Sequence, residues 1–402
     1  MKRIVITLLT LALTLLAAAA LADTTLMVAS DLHYLAPSLC EGSELFLRAV
    51  SQGDGKVPQY SAELLRALVD EALEVRPDAL LLTGDLTYNG ERRSHEELAA
   101  AMDTLWDAGI PVYVIPGNHD INSSRAYDYT GETFEPVPAV TPEEFRQIWR
   151  RCMGEPESAD RMSYHVELND GVWLVMLDVS VYEDAVEAYG FYSEEMQEWL
   201  RPLMAEAAAK GVTAVSATHQ SLIPQSGYRP GSYGIYNREH LQADLRAGGV
   251  TLNLSGHIHV MHIIREDGLT DAATGSMCVS PHCWGLVTIP EDGEPRYARR
   301  TLSCLPEDLR AATAAWFDAN TRRQSMGVLE TLEITPEEKE AMLGFGLWYQ
   351  ASYFGGVLPG REALTADPAC ALWEKYAPDS GFMNGMRTTL NFEENHDTGE
   401  RP

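Results

Sequence analysis

The chain has 402 residues, with 59 acidic and 30 basic side chains, so its formal net charge at pH 7 is −29. Hydrophobic residues make up 45% and charged residues 22%, a mixture typical of globular proteins and not of disordered ones. The acidic balance argues against a protein that binds nucleic-acid polymers or anionic membrane surfaces, because both need clustered lysine and arginine. Composition therefore favours a globular protein that acts on small molecules.

The N-terminal segment has the three regions of a secretory signal peptide. Lys2 and Arg3 precede an apolar run from Ile4 to Ala22, and residues 20–22 form an A-x-A cleavage pattern. An uncleaved membrane anchor is the alternative, because the run nearly reaches the length that spans a bilayer. The small residues at its end, and the strand-like segment that begins at Leu26, favour cleavage. We therefore predict an exported protein, extracellular or in the cell envelope, that lacks residues 1–22 and has no stable membrane anchor.

Short apolar runs alternate with helical patterns up to about residue 260. In chain order, the predicted elements are strand Leu26–Ser30, helix Ser61–Val75, strand Ala79–Thr83, helix Ser94–Ala108, strand Val112–Ile115, helix Thr141–Cys152, strand Val172–Asp178, helix Ser193–Lys210, strand Val212–Ala217, helix Asn237–Ala247 and strand Val250–Leu254. This alternation predicts an α/β domain with its site in the loops at the strand ends. A hairpin signal, Asn169-Asp170-Gly171 after the strand-like Ser163–Leu168, predicts that part of the sheet is antiparallel.

The last hundred residues have a different pattern, with apolar residues on helical faces and few strand signals. Capping boxes predict three helix starts in the chain: Ser94 with Glu97, Thr141 with Glu144, and Thr335 with Glu338. We predict a signal peptide over 1–22, a catalytic domain over 23–300, and a helical extension with a polar tail over 301–402.

Five short clusters of metal-ligand residue types follow predicted strands. They are Asp31-Leu32-His33, Gly84-Asp85, Gly117-Asn118-His119-Asp120, His219, and Gly256-His257-Ile258-His259. Five of the 11 histidines fall in these clusters, whereas scattered surface histidines would not concentrate at strand ends. Imidazole, carboxylate and amide oxygen together suit Zn, Mn or Fe better than Ca or Mg, which prefer oxygen alone. The sequence therefore predicts a transition-metal site.

The local spacing supports this prediction. In Asp31-x-His33 and His257-x-His259, an extended backbone would point both side chains to one face. The glycines that precede Asp85, Asn118 and His257 fit tight turns out of the sheet. Seven ligands, with one carboxylate that bridges, suffice for two metal ions: Asp31, His33, Asp85, Asn118, His219, His257 and His259.

The order of these clusters and the residue types within them resemble the motifs of the calcineurin-like metallophosphoesterase superfamily. The resemblance covers roughly Leu26 to Tyr297, and GNHD followed by GHxH is its most specific part. It implies a four-layer α/β/β/α sandwich with two mixed sheets, to which the C-terminal helical extension is added. It also implies a first metal bound by Asp31, His33, Asp85 and His259, and a second bound by Asp85, Asn118, His219 and His257, with Asp85 as the bridge.

The same resemblance implies a reaction. A metal-bound hydroxide would hydrolyse phosphomonoesters or phosphodiesters of small molecules, with nucleotides and cyclic nucleotides as candidates. The expected cofactors are two divalent or mixed-valence ions of Mn, Fe or Zn, and the expected partner is a small phosphorylated substrate, with no nucleic-acid polymer. His119 would contact the phosphate or the leaving group without binding metal. Asp120 would hold His119 as an imidazolium.

Two alternatives remain open from the sequence. One is a non-catalytic, metal-containing scaffold whose helical extension binds a partner, although the presence of His119 favours an enzyme. The other is a site like that of purple acid phosphatases, because Gly84–Tyr88 matches their GDxxY motif, in which the tyrosine binds iron. Those enzymes have glycine where this chain has His33, so we predict that Tyr88 either packs in the interior or supports a ligand without binding metal.

Three other histidines and two loops lie outside the motifs. His95, at the start of a predicted helix, is expected to be solvated, and His165, in the hairpin, is expected to be structural. His282 lies in a loop that the resemblance places near the rim of the site. Segments 121–140 and 226–236 are candidate rims of the site; their aromatic and basic residues are Arg125, Tyr127, Tyr129, Tyr228, Arg229 and Tyr233.

Overall fold

The computed structural model describes residues 23–53, 55–158, 162–183, 186–225 and 233–391. The predicted signal peptide, most of the polar tail, and Tyr228 and Arg229 lie outside the described residues. The strands are β1 (Thr24–Ala29), β2 (Ala79–Thr83), β3 (Val112–Ile115), β4 (Tyr127–Asp128), β5 (Glu135–Pro136), β6 (Tyr164–Asn169), β7 (Val172–Met176), β8 (Thr213–Ala217), β9 (Leu252–Ser255), β10 (His262–Glu266), β11 (Leu269–Ala273), β12 (Cys283–Ile289) and β13 (Arg296–Thr301).

Helices connect these strands and then form the C-terminal region. They are α1 (Glu44–Ser51), α2 (Ser61–Val75), α3 (Arg92–Asp107), α4 (Pro142–Ile148), α5 (Arg150–Met153), α6 (Glu194–Lys210), α7 (Arg238–Ala247), α8 (Glu307–Leu329), α9 (Pro336–Phe354), α10 (Arg361–Thr365), α11 (Pro368–Tyr376) and α12 (Gly381–Asn391). Short 3₁₀ helices occupy Pro37–Leu39 and Pro58–Tyr60.

The strands form two large sheets and one short ribbon of β4 and β5. The five-stranded sheet has the order β13-β12-β1-β2-β3, and the six-stranded sheet has the order β10-β11-β9-β8-β7-β6. Strands β1, β2 and β3 are parallel, whereas β12 is antiparallel to both β1 and β13. In the other sheet β7, β8, β9 and β11 are parallel, and β6 and β10 are antiparallel edge strands. Both sheets are therefore mixed.

Alternation along β7 shows how the layers stack. Leu174 and Met176 are buried in the hydrophobic cluster that also contains residues of β1, β2, α2 and α3. Trp173 and Val175, one position out of phase, are buried in a second cluster with residues of α6 and α7. Successive side chains of a strand point to opposite faces. One face of β7 therefore packs against the five-stranded sheet, and the other packs against helices α6 and α7. The predicted α/β/β/α sandwich with two mixed sheets and a helical extension is confirmed.

Several element predictions need correction. The segment predicted as one helix over Thr141–Cys152 consists of α4 and α5, which meet at Trp149. Strands β11 to β13 were not predicted, although β12 pairs with β1 and completes the first sheet. Their apolar residues are interrupted by Asp, Gly and Arg, which weakens the two-residue periodicity that marks a strand.

One of the three capping boxes is wrong. Helix α3 begins at Arg92, two residues before Ser94, and Ser94 is buried with its hydroxyl accepting a hydrogen bond from Ala36 N at 3.1 Å. The Ser94 side chain therefore makes a tertiary contact in place of the helix cap that the sequence predicted. The boxes at Thr141 and Thr335 are both confirmed, with each glutamate side chain accepting from the backbone of its threonine.

The C-terminal helices have their own hydrophobic cluster, centred on Trp373, Met342 and Phe345. Polar contacts join this cluster to the sheets. His282 Nε2 is 2.8 Å from Thr313 Oγ1 on α8, and Met261 N donates to the carbonyl of Phe354 at 3.2 Å. Among the described residues, no helix is long and apolar enough to cross a membrane.

Candidate metal centre

The predicted ligands come together where the carboxyl ends of strands from both sheets meet. Asp31, Asp85 and Asn118 lie in the loops after β1, β2 and β3 of the five-stranded sheet. His219 and His257 lie in the loops after β8 and β9 of the six-stranded sheet. All of these strands are parallel within their own sheets, so their ends present the loops at one edge of the sandwich.

Two groups of side chains could each hold a metal ion. Within each group the ligand atoms lie within 4.8 Å of one another, and the groups are Asp31, His33, Asp85 and His259, and Asp85, His219 and His257. Asp85 belongs to both, as a bridging ligand requires. Asn118 lies beside the second group, with its Oδ1 3.2 Å from His219 Nε2. The structure therefore brings together all seven residues that the sequence singled out as ligands.

The ligand loops do not have the extended backbone that was predicted for D-x-H and H-x-H. Five of the seven ligands have positive φ, namely Asp31 (51°), His33 (43°), Asp85 (48°), His257 (69°) and His259 (62°). A conformation of this kind costs about 1–3 kcal/mol per residue and persists where the surroundings enforce it. The side chains reach a common point because the backbone coils tightly after each strand.

Glycines allow the loops to approach one another. A Cβ atom on Gly117 would collide with the backbone and carboxylate of Asp85, and one on Gly256 would collide with Ser30 and Asp31. Neither glycine has positive φ, so their role is close approach and not conformational freedom. Gly84 needs both, because its φ is +89° and a Cβ there would collide with the His219 ring.

Hydrogen bonds fix the orientation of the ligands. The carboxylate of Asp31 accepts from Ser30 Oγ at 2.6 Å and from His257 N at 2.9 Å, which ties the two sheets together. His119 N donates to Asp85 Oδ1 at 2.9 Å. His219 Nδ1 donates to the carbonyl of Thr83 at 2.8 Å, and this leaves Nε2 directed at the centre. Such a bond to the remote nitrogen is the usual support of a histidine that binds metal.

The donor set fits metal ions. Asp31 Oδ1, His33 Nδ1 and His257 Nε2 are buried and have no hydrogen-bond partner among the described residues. Burial lowers the pKa of His257 to about 3 and that of His33 well below its usual value, so both are neutral, the form that binds metal. Burial also lowers the pKa of His219, but the carboxylates of Asp85 and Asp31 outweigh it and raise that pKa to about 9. The negative charge that raises this pKa is the charge that would attract a metal cation.

His119 belongs to neither ligand group and faces the centre from the side. Its Nδ1 lies 2.9 Å from the carbonyl of Tyr88 and 3.1 Å from Asn89 Oδ1, so this nitrogen donates. Its Nε2 lies 3.9 Å from Asp85 Oδ2, and its ring is 4.9 Å from that of His33. The orientation of His119 therefore depends on Tyr88 and Asn89.

The predicted pairing of Asp120 with His119 is wrong. The Asp120 carboxylate is fully buried and accepts from the backbone N–H groups of Leu86, Thr87 and Gly117, and from the Thr87 hydroxyl, at 2.8 to 3.0 Å. It faces away from His119 because backbone donors of two loops converge on it. Asp120 thereby joins the loop that carries Asp85 to the loop that carries Asn118, and its role is to position ligands.

His95 extends this network and is not solvated as predicted. It is completely buried, with Nε2 3.0 Å from the Asp120 carbonyl and 3.1 Å from Thr87 Oγ1. Its Nδ1 accepts from Trp149 Nε1 at 3.2 Å. A sequence signal existed, because His95, Leu98 and Met102 share one face of α3.

The other residues named from the sequence differ in their position relative to the centre. The Tyr88 ring packs against Phe46 and Tyr129, at 6.0 and 5.9 Å between centroids. His282 is buried and bonded to Met277 and Thr313, so it does not line the site. Tyr233 lies beside the second ligand group, with its ring 5.3 Å from the His257 ring.

Comparison with known proteins identifies the family. The family model described as calcineurin-like phosphoesterase matches residues 24–261, more than half of the chain, and the chain therefore belongs to this family. The predicted resemblance is confirmed. Strands β10 to β13 lie beyond the matched residues but belong to the same two sheets.

Relatives and a solved structure agree with this assignment. The chain is 28% identical over 218 residues to a protein of Rhodococcus erythropolis named "Probable cyclic nucleotide phosphodiesterase", covering 54% of this chain and 62% of that protein. It is 27% identical over 225 residues to a protein of the same name from Psychrobacter arcticus, covering 55% of this chain and 71% of that protein. A dimetal phosphatase from Danio rerio has a similar fold, with a TM-score of 0.50 and 17% identity over 69% of this chain and 95% of that one.

Proposed function

We propose that the protein is an exported, binuclear metal-dependent phosphoesterase that hydrolyses phosphomonoesters or phosphodiesters of small molecules. The observation that carries this proposal is the arrangement around Asp85. Two ligand groups share its carboxylate, and the imidazole of His119, which belongs to neither group, faces the same point. A scaffold that only held metal would not need this additional histidine.

In this proposal the side chains have distinct roles. Asp31, His33, Asp85 and His259 would hold one ion, and Asp85, Asn118, His219 and His257 the other. Bound metals of this kind activate a water molecule and neutralise phosphate oxygens. His119 donates from Nδ1 to Tyr88 and Asn89, which directs its Nε2 at the centre. When the ring carries a second proton, on Nε2, it can give that proton to the departing oxygen or a hydrogen bond to the phosphate.

For the substrate class we propose nucleotides, including cyclic nucleotides, as the first candidates. The names of the Rhodococcus and Psychrobacter relatives support this choice. Tyr233, which is 38% exposed and lies beside His257, offers an aromatic surface on which a base could stack. For the metals we propose Mn, Fe or Zn, because the donor set combines imidazole and carboxylate.

The test is turnover by protein of known metal content. We would load the purified protein with Mn, Fe or Zn, measure the metal bound per chain, and assay p-nitrophenyl phosphate, bis-p-nitrophenyl phosphate, and then linear and cyclic nucleotides. We expect hydrolysis that requires metal. Absence of turnover on every ester by protein carrying two metal ions per chain would contradict the proposal.

Export has a separate test. The basic, apolar and small-residue regions over 1–22 support it. N-terminal sequencing of protein recovered outside the cytoplasm of the producing cell should begin at Asp23. A chain that begins at Met1 in the membrane fraction would show that the segment is an anchor.

A further inference from the structure

A row of buried polar side chains crosses three strands of the six-stranded sheet. Ser216 of β8, Asn253 of β9 and Asp271 of β11 are partners in the strand registers and are completely buried. Ser216 is also the partner of Val175, which belongs to the apolar cluster of α6 and α7, so the row lies on the face that these helices cover. Apolar residues would pack there without needing partners. A polar row that is fully hydrogen-bonded instead fixes the relative positions of the segments that it joins.

One carboxylate oxygen of Asp271 holds the end of β9. Oδ1 accepts from Asn253 Nδ2 and from Ser255 Oγ, both at 2.9 Å. Ser255 is the last residue of β9, and the ligand His257 is the second residue after it. The carbonyl of Ser255 also accepts from Thr274 N at 2.8 Å. The point from which the loop with His257 departs is therefore fixed through both its side chain and its backbone.

The other carboxylate oxygen of Asp271 holds the segment that follows the ligand His219. Oδ2 accepts from Ile223 N at 2.9 Å and from Gln225 Nε2 at 3.0 Å. Burial raises the pKa of the Asp271 carboxyl, and the hydrogen bonds oppose this effect because they stabilise the ionised form. One buried carboxylate thus joins β9 to the segment after β8.

Thr218 fixes the chain on the other side of His219. Its Oγ1 accepts from Asn253 Nδ2 at 3.0 Å and donates to the backbone carbonyl two residues further along the chain at 2.8 Å, a bond that spans His219. Asn253 Nδ2 is the same group that donates to Asp271. His219 therefore lies between two fixed points, Thr218 and Ile223, and the hydrogen bonds of both lead to Asp271.

We propose that Asp271 is a positioning residue for the second metal-ligand group, because it fixes the segments that carry His219 and His257. Among the described residues it is hydrogen-bonded to neither histidine, and it belongs to neither ligand group. The first group depends on it less, because three of the four residues of that group follow strands of the other sheet. This inference rests on the metal centre of the proposed function and requires no particular substrate.

The test variant is Asp271→Asn, which keeps the shape of the side chain. The amide has one oxygen and one NH₂ group, and the NH₂ group cannot accept from the two donors that face it. The matched control is Glu71→Gln. Glu71 is a buried carboxylate of α2 that accepts from Ser303 Oγ at 2.9 Å and from Cys304 N at 2.7 Å, and it thereby holds the segment before α8 and no ligand loop.

The experiment measures one metal ion at a time. His33→Ala leaves the second ligand group complete, and His257→Ala leaves the first. In the His33→Ala protein, calorimetric titration with Mn should show that Asp271→Asn weakens binding about 10- to 100-fold, the loss typical of groups that orient metal ligands. In the His257→Ala protein, the same change should alter the affinity by no more than about twofold, as for independent sites. Glu71→Gln should stay within about twofold in both proteins.

A second variant, Thr218→Val, makes the outcome independent of how well Asp271→Asn folds. It keeps the branched shape and removes the hydroxyl that joins Asn253 to the chain beside His219. In the His33→Ala protein it should weaken Mn binding by a smaller factor than Asp271→Asn does, and if Asp271→Asn does not fold, Thr218→Val alone decides. Equal losses in the two ligand-deficient proteins, or unchanged Mn binding in the His33→Ala protein, would overturn the inference. Because no turnover is measured, a protein that binds two ions but hydrolyses no ester would contradict the proposed function alone.

Discussion

The ligand loops and the helical extension are held in place by different means. The loops follow strand ends, have left-handed backbone at five ligands, and converge on buried carboxylates such as Asp120. The extension has its own apolar cluster, and α8 joins it to the sheets by both apolar and polar contacts. Leu309 and Trp316 pack against the cluster that contains residues of β1, β2 and α2, and Thr313 is bonded to His282. The loops are therefore held mainly by buried hydrogen bonds, whereas the extension is held by apolar packing as well.

This difference has a consequence for metal binding. The seven predicted ligands all precede residue 260, and neither metal-ligand group among the described residues includes a residue of the extension. Metal binding should therefore depend on the loops and not on the extension. The first predictions concern the loops and the last ones concern the extension, in order of decreasing expected effect.

Asp85→Asn should remove metal and activity together. It replaces the carboxylate that both ligand groups share, and two cations about 3.5–4 Å apart repel each other unless a negative charge lies between them. We expect less than one metal ion per chain and a loss of turnover well above the roughly 10- to 100-fold typical of residues that only support ligands. Metal analysis and turnover would be compared with Asp170→Asn, a change at an exposed aspartate in the turn between β6 and β7. Full metal content in Asp85→Asn would contradict a bridging role.

His119→Ala should leave the metals in place and slow the reaction. The residue belongs to neither ligand group, and general acid catalysis typically contributes about 100- to 10,000-fold. If His119 protonates the leaving oxygen, the loss is larger for a nucleoside alkoxide than for p-nitrophenolate, which departs without a proton. Equal losses for both leaving groups would indicate phosphate binding instead.

The control for this prediction is His240→Ala, at an exposed position of α7. It should leave turnover unchanged. Loss of a metal ion from folded His119→Ala would show that the assignment of ligands is wrong.

Asp120→Ala should destabilise the protein even without metal. It leaves the N–H groups of Gly117, Leu86 and Thr87 buried without their acceptor, and each such loss costs about 1–3 kcal/mol. We expect the free energy of unfolding in urea to fall by about 3–5 kcal/mol. Asp170→Ala should change it by no more than about 0.5 kcal/mol. A loss below about 1 kcal/mol in Asp120→Ala would mean that water replaces the carboxylate at no cost.

Acid should weaken the contact between the extension and the sheets. Burial lowers the pKa of His282 to about 4, whereas an unfolded histidine titrates near 6.5. The unfolded chain therefore binds the proton first, and stability falls as the pH drops from about 6.5 to 4, by up to about 3 kcal/mol, with no loss above that range.

His282→Gln should reduce this acid sensitivity. Glutamine cannot gain a charge but can still hydrogen-bond to Met277 and Thr313. The measurement is urea unfolding between pH 4 and 7, monitored by tryptophan fluorescence, with His240→Gln as the control. An unchanged slope of stability against pH in His282→Gln would assign the acid sensitivity to other groups.

The motifs made the ligands predictable because each follows a short strand that could be recognised in the sequence. Asp85 and His219, for example, come directly after buried strands, and parallel strands bring their ends to one edge. The coiled backbone at Asp31 and His33 was not predictable, because their N–H groups donate to the carbonyls of Gly84 and Asp85, in a loop distant in the chain. The partner of Asp120 was missed for a similar reason. Adjacent residues suggested His119, but the donors of Leu86 and Gly117 decide its direction.

The buried position of His95 could have been recognised in the sequence, because it shares a helical face with Leu98 and Met102. The contact between Asn320 of α8 and the carbonyl of Gly53 had no signal, because the two residues are far apart in the chain and meet through a polar bond. What the sequence lacks is information on pairs of distant segments whose contact is polar and irregular.

The composition of the ligand groups also has a consequence for assembly. Each group draws on both sheets: Asp31, His33 and Asp85 come from the first, and His219, His257 and His259 from the second. An ion bound by either group is therefore a cross-link between the two halves of the sandwich, and part of its binding free energy holds them together. Neither half has a complete site before the sheets dock. Uptake of metal should accordingly coincide with docking of the two sheets or follow it. Before metal binds, the hydrogen bond from His257 N to the Asp31 carboxylate already joins the two sheets at the site.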